Sequence, residues 1–237
     1  SRGYVAVVSG RMGGASALAA EAALRGGAGY VRLHADDFLG RTARAVVRSG
    51  DLDALFDRRV GAVIAGPGLG LGDLEAGILN LVITTAIPAV LDADALTLIA
   101  DTGLDWLHRA PRTPILTPHA GEFARLFPDL LGSKVEQART AAASARSVIV
   151  YKGPDTVVAA PDGRAAIARP APAWLASAGT GDVLAGVVAA TRASGLDAFE
   201  AACAGVWLHG RAAELAGPGL IADELLDHLA SALAECL

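Results

Sequence analysis

The sequence predicts a soluble α/β protein, with a mostly parallel central sheet covered by helices on both faces. Three observations predict it. Short, continuous apolar runs recur along the chain, the pattern of strands buried on both sides. Alanine- and leucine-rich stretches with helical spacing separate them, as in alternating βα units. Glycine-rich or polar loops follow the apolar runs, at the edge where open parallel sheets bind ligands.

Each element is justified in turn. Tyr4-Val5-Ala6-Val7-Val8 reads as a buried strand ended by Ser9-Gly10. Ala15 to Arg25 reads as a helix with Ala15, Leu18, Ala19 and Ala22 at helical spacing, stopped by Gly26, Gly27 and Gly29. Tyr30 to His34 and Ala62-Val63-Ile64-Ala65 are the next strands, the latter running into Gly66-Pro67-Gly68-Leu69-Gly70. Ala89-Val90-Leu91 and Pro114-Ile115-Leu116-Thr117 follow, each with a helix-like run after it, and then Val148-Ile149-Val150-Tyr151. Thr156 to Ala160, Pro161-Asp162-Gly163 and Ala165 to Ala168 read as a hairpin with an Asp-Gly turn. Only helices are expected beyond it, over Gly181 to Thr191, Ala198 to Leu215 and Ile221 to Leu237. There is no linker and no internal repeat, so residues 1–237 are expected to form one domain.

Composition narrows the function. Apolar residues make up 53% and charged residues 19%, which suits a packed core and not a disordered chain. Glycine is frequent, 28 of 237, and without low-complexity tracts this points to many tight turns. A net charge of −5 with scattered arginines argues against general affinity for nucleic acid. The longest uncharged stretch, Ala76 to Leu91, has 16 residues and contains Asn80, Thr84, Thr85 and Pro88. A membrane-spanning helix needs roughly 20 mostly apolar residues. No signal peptide is read. Cys203 and Cys236 are far apart, form no metal-ligand pattern and fit free thiols in the cytoplasm.

Five segments carry candidate chemistry. In Gly179-Thr180-Gly181-Asp182 the glycines let backbone N–H groups approach a ligand, and the following helix adds its positive N-terminus. Asp182, in the first helical turn, is placed either as a base on a substrate hydroxyl or as an acid serving the helix dipole. Lys152-Gly153-Pro154-Asp155-Thr156 follows a strand and offers a point charge, backbone and a hydroxyl to a phosphate or ribose, or else is an ordinary turn. In Thr117-Pro118-His119-Ala120-Gly121-Glu122, His119 and Glu122 share a helix face, as ligands or as surface groups. In Leu91-Asp92-Ala93-Asp94, Asp94 is expected to cap the helix at Ala95 to Ile99, and Asp92 could serve a metal-bound phosphate or a polar network. Gly10-Arg11-Met12-Gly13-Gly14-Ala15 and Gly66 to Gly70 both leave room for a ligand. The first is not a dinucleotide fingerprint, because its glycine spacing is wrong even with Asp36 or Asp37 as the later acid.

Taken together, these segments resemble the ADP/ATP-dependent NAD(P)H-hydrate dehydratases, which share the three-layer ribokinase-like fold. The likeness runs in order through Gly13-Gly14-Ala15, Gly66 to Gly70, Val90 to Leu96, Thr117 to Phe123, Lys152 to Thr156, Gly179 to Gly186 and Leu208-His209-Gly210. It implies repair of hydrated NADH or NADPH, in which ADP or ATP, generally with Mg²⁺, phosphorylates the ring hydroxyl and phosphate then leaves. By resemblance Ala15, Gly68, Gly70 and His119 hold the hydrated dinucleotide, together with Asp182, the implied base. Lys152, Gly153, Pro154, Asp155, Thr156, Gly179, Thr180 and Gly181 hold the adenine nucleotide; no protein metal ligand is assigned. The resemblance also implies a homo-oligomer, with a tetramer expected. The start at Ser1 is consistent with a longer parent chain carrying an epimerase domain.

The chain departs from the family pattern in places. Met12 stands in a loop that usually holds an aromatic residue, Ala178 replaces a glycine, and the segment from Arg169 to Trp174 lacks a usual asparagine. The loop from Gly70 to Ala76 is short. Two other functions fit the same residues: a small-molecule kinase of the same fold, similar to hydroxyethylthiazole kinases, and a catalytically silent nucleotide-binding module.

Overall fold

The computed structural model describes residues 2–35 and 42–236; Asp36 and Asp37 lie outside them. Strands β1 (Tyr4–Val8), β2 (Tyr30–His34), β3 (Val47–Ser49), β4 (Val60–Ala65), β5 (Ala89–Leu91), β6 (Ile115–Leu116), β7 (Val148–Tyr151), β8 (Val157–Ala159) and β9 (Ala165–Ile167) form one sheet. Their order is β3-β2-β1-β4-β5-β6-β7-β8-β9. β1 to β7 are parallel, and the hairpin β8–β9 adds antiparallel to β7.

Helices α1 (Gly13–Arg25), α2 (Asp73–Thr84), α3 (Asp94–Thr102), α4 (Ala120–Leu126), α5 (Lys134–Ala145), α6 (Thr180–Ala193), α7 (Ala198–Ala216) and α8 (Ala222–Ala234) sort by the two-residue period of the strands. Val5 and Val7 of β1 face α1, α6 and α7, with Ala62 and Ile64 of β4 beside them. Ala6 and Val8 face the opposite side, where Val63 and Ala65 meet α2, α3, α4 and α5. The result is three layers. Ile64, Leu91 and Leu116 are fully buried, and burying such a side chain contributes roughly 1.5–3 kcal/mol.

One strand differs from the sequence reading. β3, an exposed edge strand of three residues in Val47-Arg48-Ser49, has no apolar run to announce it. Leu208, Leu225 and Leu226 pack in a third cluster where α8 covers α1, α6 and α7. Among the described residues no helix is long and apolar enough to cross a membrane, and both cysteines are free.

Candidate active site

The parallel strands all end at one edge, and that edge gathers the polar loops. After β1 the chain moves outward to β2 and β3, then returns to β4 on the other side of β1. This reversal opens a crevice between the loops after β1 and β4. There the Met12 N–H donates to the Gly68 carbonyl at 3.0 Å, and Arg11 pairs with Glu75 at 3.5 Å. Ala15 lies in the first turn of α1, its N–H donating to the Met12 carbonyl at 3.2 Å, so Ala15 and Gly68 both lie against Met12, and Gly70 follows in the same loop. Asp94 does not cap its helix. Its carboxylate accepts the Gly70 N–H at 2.8 Å, and the N-cap of α3 is Ala93, whose φ of 48° lies where a non-glycine residue is strained. The strained residue thus holds Asp92 and Asp94 in two different directions.

Asp92 points to Lys152. Their Oδ1–Nζ distance is 2.9 Å, and Glu122 Oε2 lies 3.9 Å from the same ammonium. All three side chains are largely buried. Burial alone would depress the Lys152 ammonium; the Asp92 and Glu122 carboxylates outweigh it and hold Lys152 above its ordinary value. The sequence placed Lys152 at the site but did not see its partners. The topology explains them: β5 and β7 flank β6, so the residues after their last positions meet across the residue after β6.

Asp182 sits in the first turn of α6 beside this pair. Burial, then the nearby Asp92 carboxylate, push its carboxyl up to about 6, with Lys152 opposing and Asp94 and Glu122 adding to the rise. Such a group is mostly ionised at pH 7 and close enough to neutrality to take a proton usefully. The turn before it is built for close approach. Gly179 has φ 85°, and a side chain there would collide with Leu18 and Ala222 at 2.9 Å. A Cβ on Gly181 would lie 3.4 Å from the Lys152 Nζ, so only bare backbone leaves room for a ligand between them. Ala178 is exposed and has no positive φ; the left-handed position falls on Gly179, so alanine is tolerated where a glycine is usual. Among the described residues none accepts the N–H of Gly181 or Asp182.

His209 was quoted in the sequence pattern without a role. It is buried, and its Nε2 donates to the Thr180 carbonyl at 2.8 Å. Burial pushes the imidazole down to about 4, against the pull of that hydrogen bond, so it is a neutral support for the turn at pH 7. The Thr180 hydroxyl is engaged at 2.8 Å with the Leu175 and Ser177 carbonyls, which closes the turn from the other side.

His119 is the N-cap of α4. Its Nδ1 accepts the N–H groups of Gly121 at 3.0 Å and Glu122 at 3.3 Å, while Glu122 Oε2 accepts the His119 N–H at 2.8 Å. Nδ1 as acceptor leaves the proton on Nε2, and 57% of the side chain is exposed.

A cavity of about 670 Å³ opens between the β8–β9 hairpin, α7 and the turn before α6. Lys152, Gly153, Pro154, Thr156, Thr180 and Gly181 line one end, and Val158, Ala166, Cys203 and Trp207 line apolar walls. This size and mixture suit a small ligand with one apolar and one polar end. Asp155 is not in the lining; its carboxylate accepts from Lys134 Nζ at 2.7 Å. Gly179 stands behind the lining as the hinge of the turn. Among the described residues no group of three or more His, Cys, Asp or Glu could hold a metal ion.

The family model for NAD(P)H-hydrate dehydratase matches residues 5–234. An ADP-dependent (S)-NAD(P)H-hydrate dehydratase from Neisseria meningitidis serogroup B is 39% identical over 94% of this chain and 82% of its own length. A bifunctional NAD(P)H-hydrate repair enzyme from Salinibacter ruber is 38% identical over 94% of this chain, which spans 46% of that longer protein. The solved ADP/ATP-dependent dehydratase from Bacillus subtilis, co-crystallised with ATP and Mg²⁺ and soaked with coenzyme A, superposes with a TM-score of 0.78. It is 28% identical, over 98% of this chain and 92% of that one. The three-layer sheet is the ribokinase-like architecture expected from the sequence. By these matches, the chain belongs to the NAD(P)H-hydrate dehydratase family.

Proposed function

We propose that this chain dehydrates hydrated NADH or NADPH at the expense of ADP or ATP, with Asp182 as the base. The observation that carries the assignment is the buried Asp182 carboxyl, raised to about 6, next to two open N–H groups and Lys152. The hydrated dinucleotide lies in the crevice lined by Ala15, Gly68, Gly70 and His119. The adenine nucleotide fills the cavity, its terminal phosphate toward Lys152, Thr180 and Gly181. Asp155 and Gly179 shape the loops that carry these contacts.

Asp182 accepts the proton of the ring hydroxyl as its oxygen bonds to the terminal phosphorus. The bond from that phosphorus to the rest of the nucleotide breaks, releasing AMP from ADP or ADP from ATP. The N–H groups of Gly181 and Asp182 and the Lys152 ammonium face the charge that develops on the transferred phosphoryl group. Phosphate then leaves the ring with the C–O electron pair, a ring proton is lost, and the double bond of the dihydronicotinamide returns. Mg²⁺ is bound in such sites through substrate phosphates and one or two carboxylates, with most of its waters kept. Asp92 and Glu122, beside Lys152, are the carboxylates that would hold such an ion, which would supply neutralisation of phosphate charge.

We also assign a homo-oligomer, tetramer by expectation, and a cytoplasmic home consistent with free thiols; exposed Phe56, Leu74 and Leu131 give apolar surface for contacts. An epimerase domain on a longer parent chain belongs to the same proposal, as the length of the bifunctional relatives supports.

The test mixes the purified protein with hydrated NADPH, Mg²⁺ and either ADP or ATP, and follows NADPH absorbance. Nucleotide-dependent recovery is the expected result and names the donor. A folded protein that binds ADP yet restores nothing with either donor would overturn the assignment.

A further inference from the structure

We propose that Arg169 binds a phosphate of the donor nucleotide, a contact that the assigned base and turn do not supply. The inference rests on the cavity being the nucleotide site. Three cationic side chains line it: Lys152, Arg169 and Arg211. Two are already committed. Lys152 donates to Asp92 at 2.9 Å. Arg211 donates through Nε and Nη2 to both oxygens of Glu235, and through Nη1 to Glu214, each at 2.8 Å. Arg169, among the described residues, engages no carboxylate and no hydrogen-bond acceptor.

Its place along the wall fits a phosphate. Arg169 follows β9, and the flanking Ala168 and Ala171 N–H groups donate to the Thr156 and Pro154 carbonyls at 2.9 and 2.8 Å. The backbone of Arg169 is therefore fixed alongside the Lys152–Thr156 loop, between the apolar wall at Val158 and Ala166 and the transfer end at Gly181. An adenosine against the apolar wall puts its phosphates at this level. Arg211 bridges the cavity's two lining carboxylates, Glu214 and Glu235, so its donors are spent on them, and Arg169 is the lining cation left to answer a polyanion. A guanidinium offers two parallel donors to a phosphate, which an ammonium cannot.

The experiment measures binding of ADP, AMP and adenosine by calorimetry to the wild type, Arg169→Ala and Arg169→Lys. It needs no turnover, so it is separate from the dehydratase assay. Arg169→Ala is expected to weaken ADP about tenfold with adenosine unchanged, and Arg169→Lys to recover part of the loss. AMP weakened as much as ADP would place the contact on the phosphate next to the ribose; AMP unaffected would place it on the terminal one. ADP affinity within twofold of wild type, or an equal loss for adenosine, would overturn the proposal. Wild type that binds none of the three would instead remove the nucleotide reading of the cavity.

Discussion

Two helix beginnings in this molecule look alike in sequence and differ in use. α4 starts after Thr117-Pro118-His119 and α6 after Gly179-Thr180-Gly181, each with an acid in its first turn. At α4 the acid turns back: Glu122 accepts the His119 N–H, and the His119 ring accepts two N–H groups in return. At α6 the N-cap is a glycine with no side chain to offer, Asp182 makes no capping bond, and two N–H groups stay open. A satisfied helix end holds the chain together; an unsatisfied one waits for an anion. The difference costs stability, because Asp182 is buried with other carboxylates around it. On the proposed mechanism, that cost comes with holding a base beside a phosphate.

The largest effect is expected from closing this difference at Asp182. Asp182→Asn should lower kcat by about a thousandfold, within the range for loss of a general base, and leave ADP affinity near wild type. Its folded pKa is raised above the unfolded value, so the native group favours folding below about pH 4 and loses that advantage as pH rises through about 6. Asp182→Asn should therefore melt higher than wild type at pH 7 and no higher at pH 4, as calorimetry across that range would show. A variant that keeps full turnover removes Asp182 as base.

Next in size is the ion pair behind the turn. Lys152→Met leaves Asp92 buried without its partner and should cost roughly 3 kcal/mol in a denaturant titration, besides weakening ADP. Adding Asp92→Asn should return much of the stability and none of the activity. If the double variant is no more stable than Lys152→Met alone, the pair is not coupled as the geometry requires.

The sequence made most of the scaffold readable because buried strands and alanine-rich helices announce themselves by period. The six parallel strands it named and the Asp162-Gly163 hairpin stand within a few residues of their predicted bounds. The edge strand β3 escaped, since exposed Val47-Arg48-Ser49 follows no apolar pattern. At the site, Asp182 and Lys152 were legible from their place after a glycine turn and a strand. Their surroundings were not. Asp94 looked like a cap because a cap is local, whereas its partner Gly70 lies 24 residues away. His209 carries no local sign of its task, which depends on α7 packing its imidazole against the Thr180 carbonyl. The roles of Ala15, Gly68, Gly70 and His119 toward the dinucleotide rest on resemblance and on their shared edge.

The smallest predicted effect lies at Ala93. Ala93→Gly relieves a positive φ, and after the entropy of glycine in the unfolded chain the net gain should be about 1 kcal/mol. The same change loosens Asp92 and Asp94, so turnover should fall severalfold while stability rises. Stability lost instead would mean that Ala93 carries no strain.

The central claim is that the open helix end holds a base tuned by its neighbours. The most direct measurement is the pH dependence of kcat/KM for NADPH recovery, which reports the groups of the free enzyme. The account predicts a rate that climbs through an apparent pKa near 6, about tenfold lower one unit below it than on the plateau, with no such climb in the residual rate of Asp182→Asn. A wild-type rate that stays flat from pH 5 to pH 8, on a protein that remains folded, would contradict it.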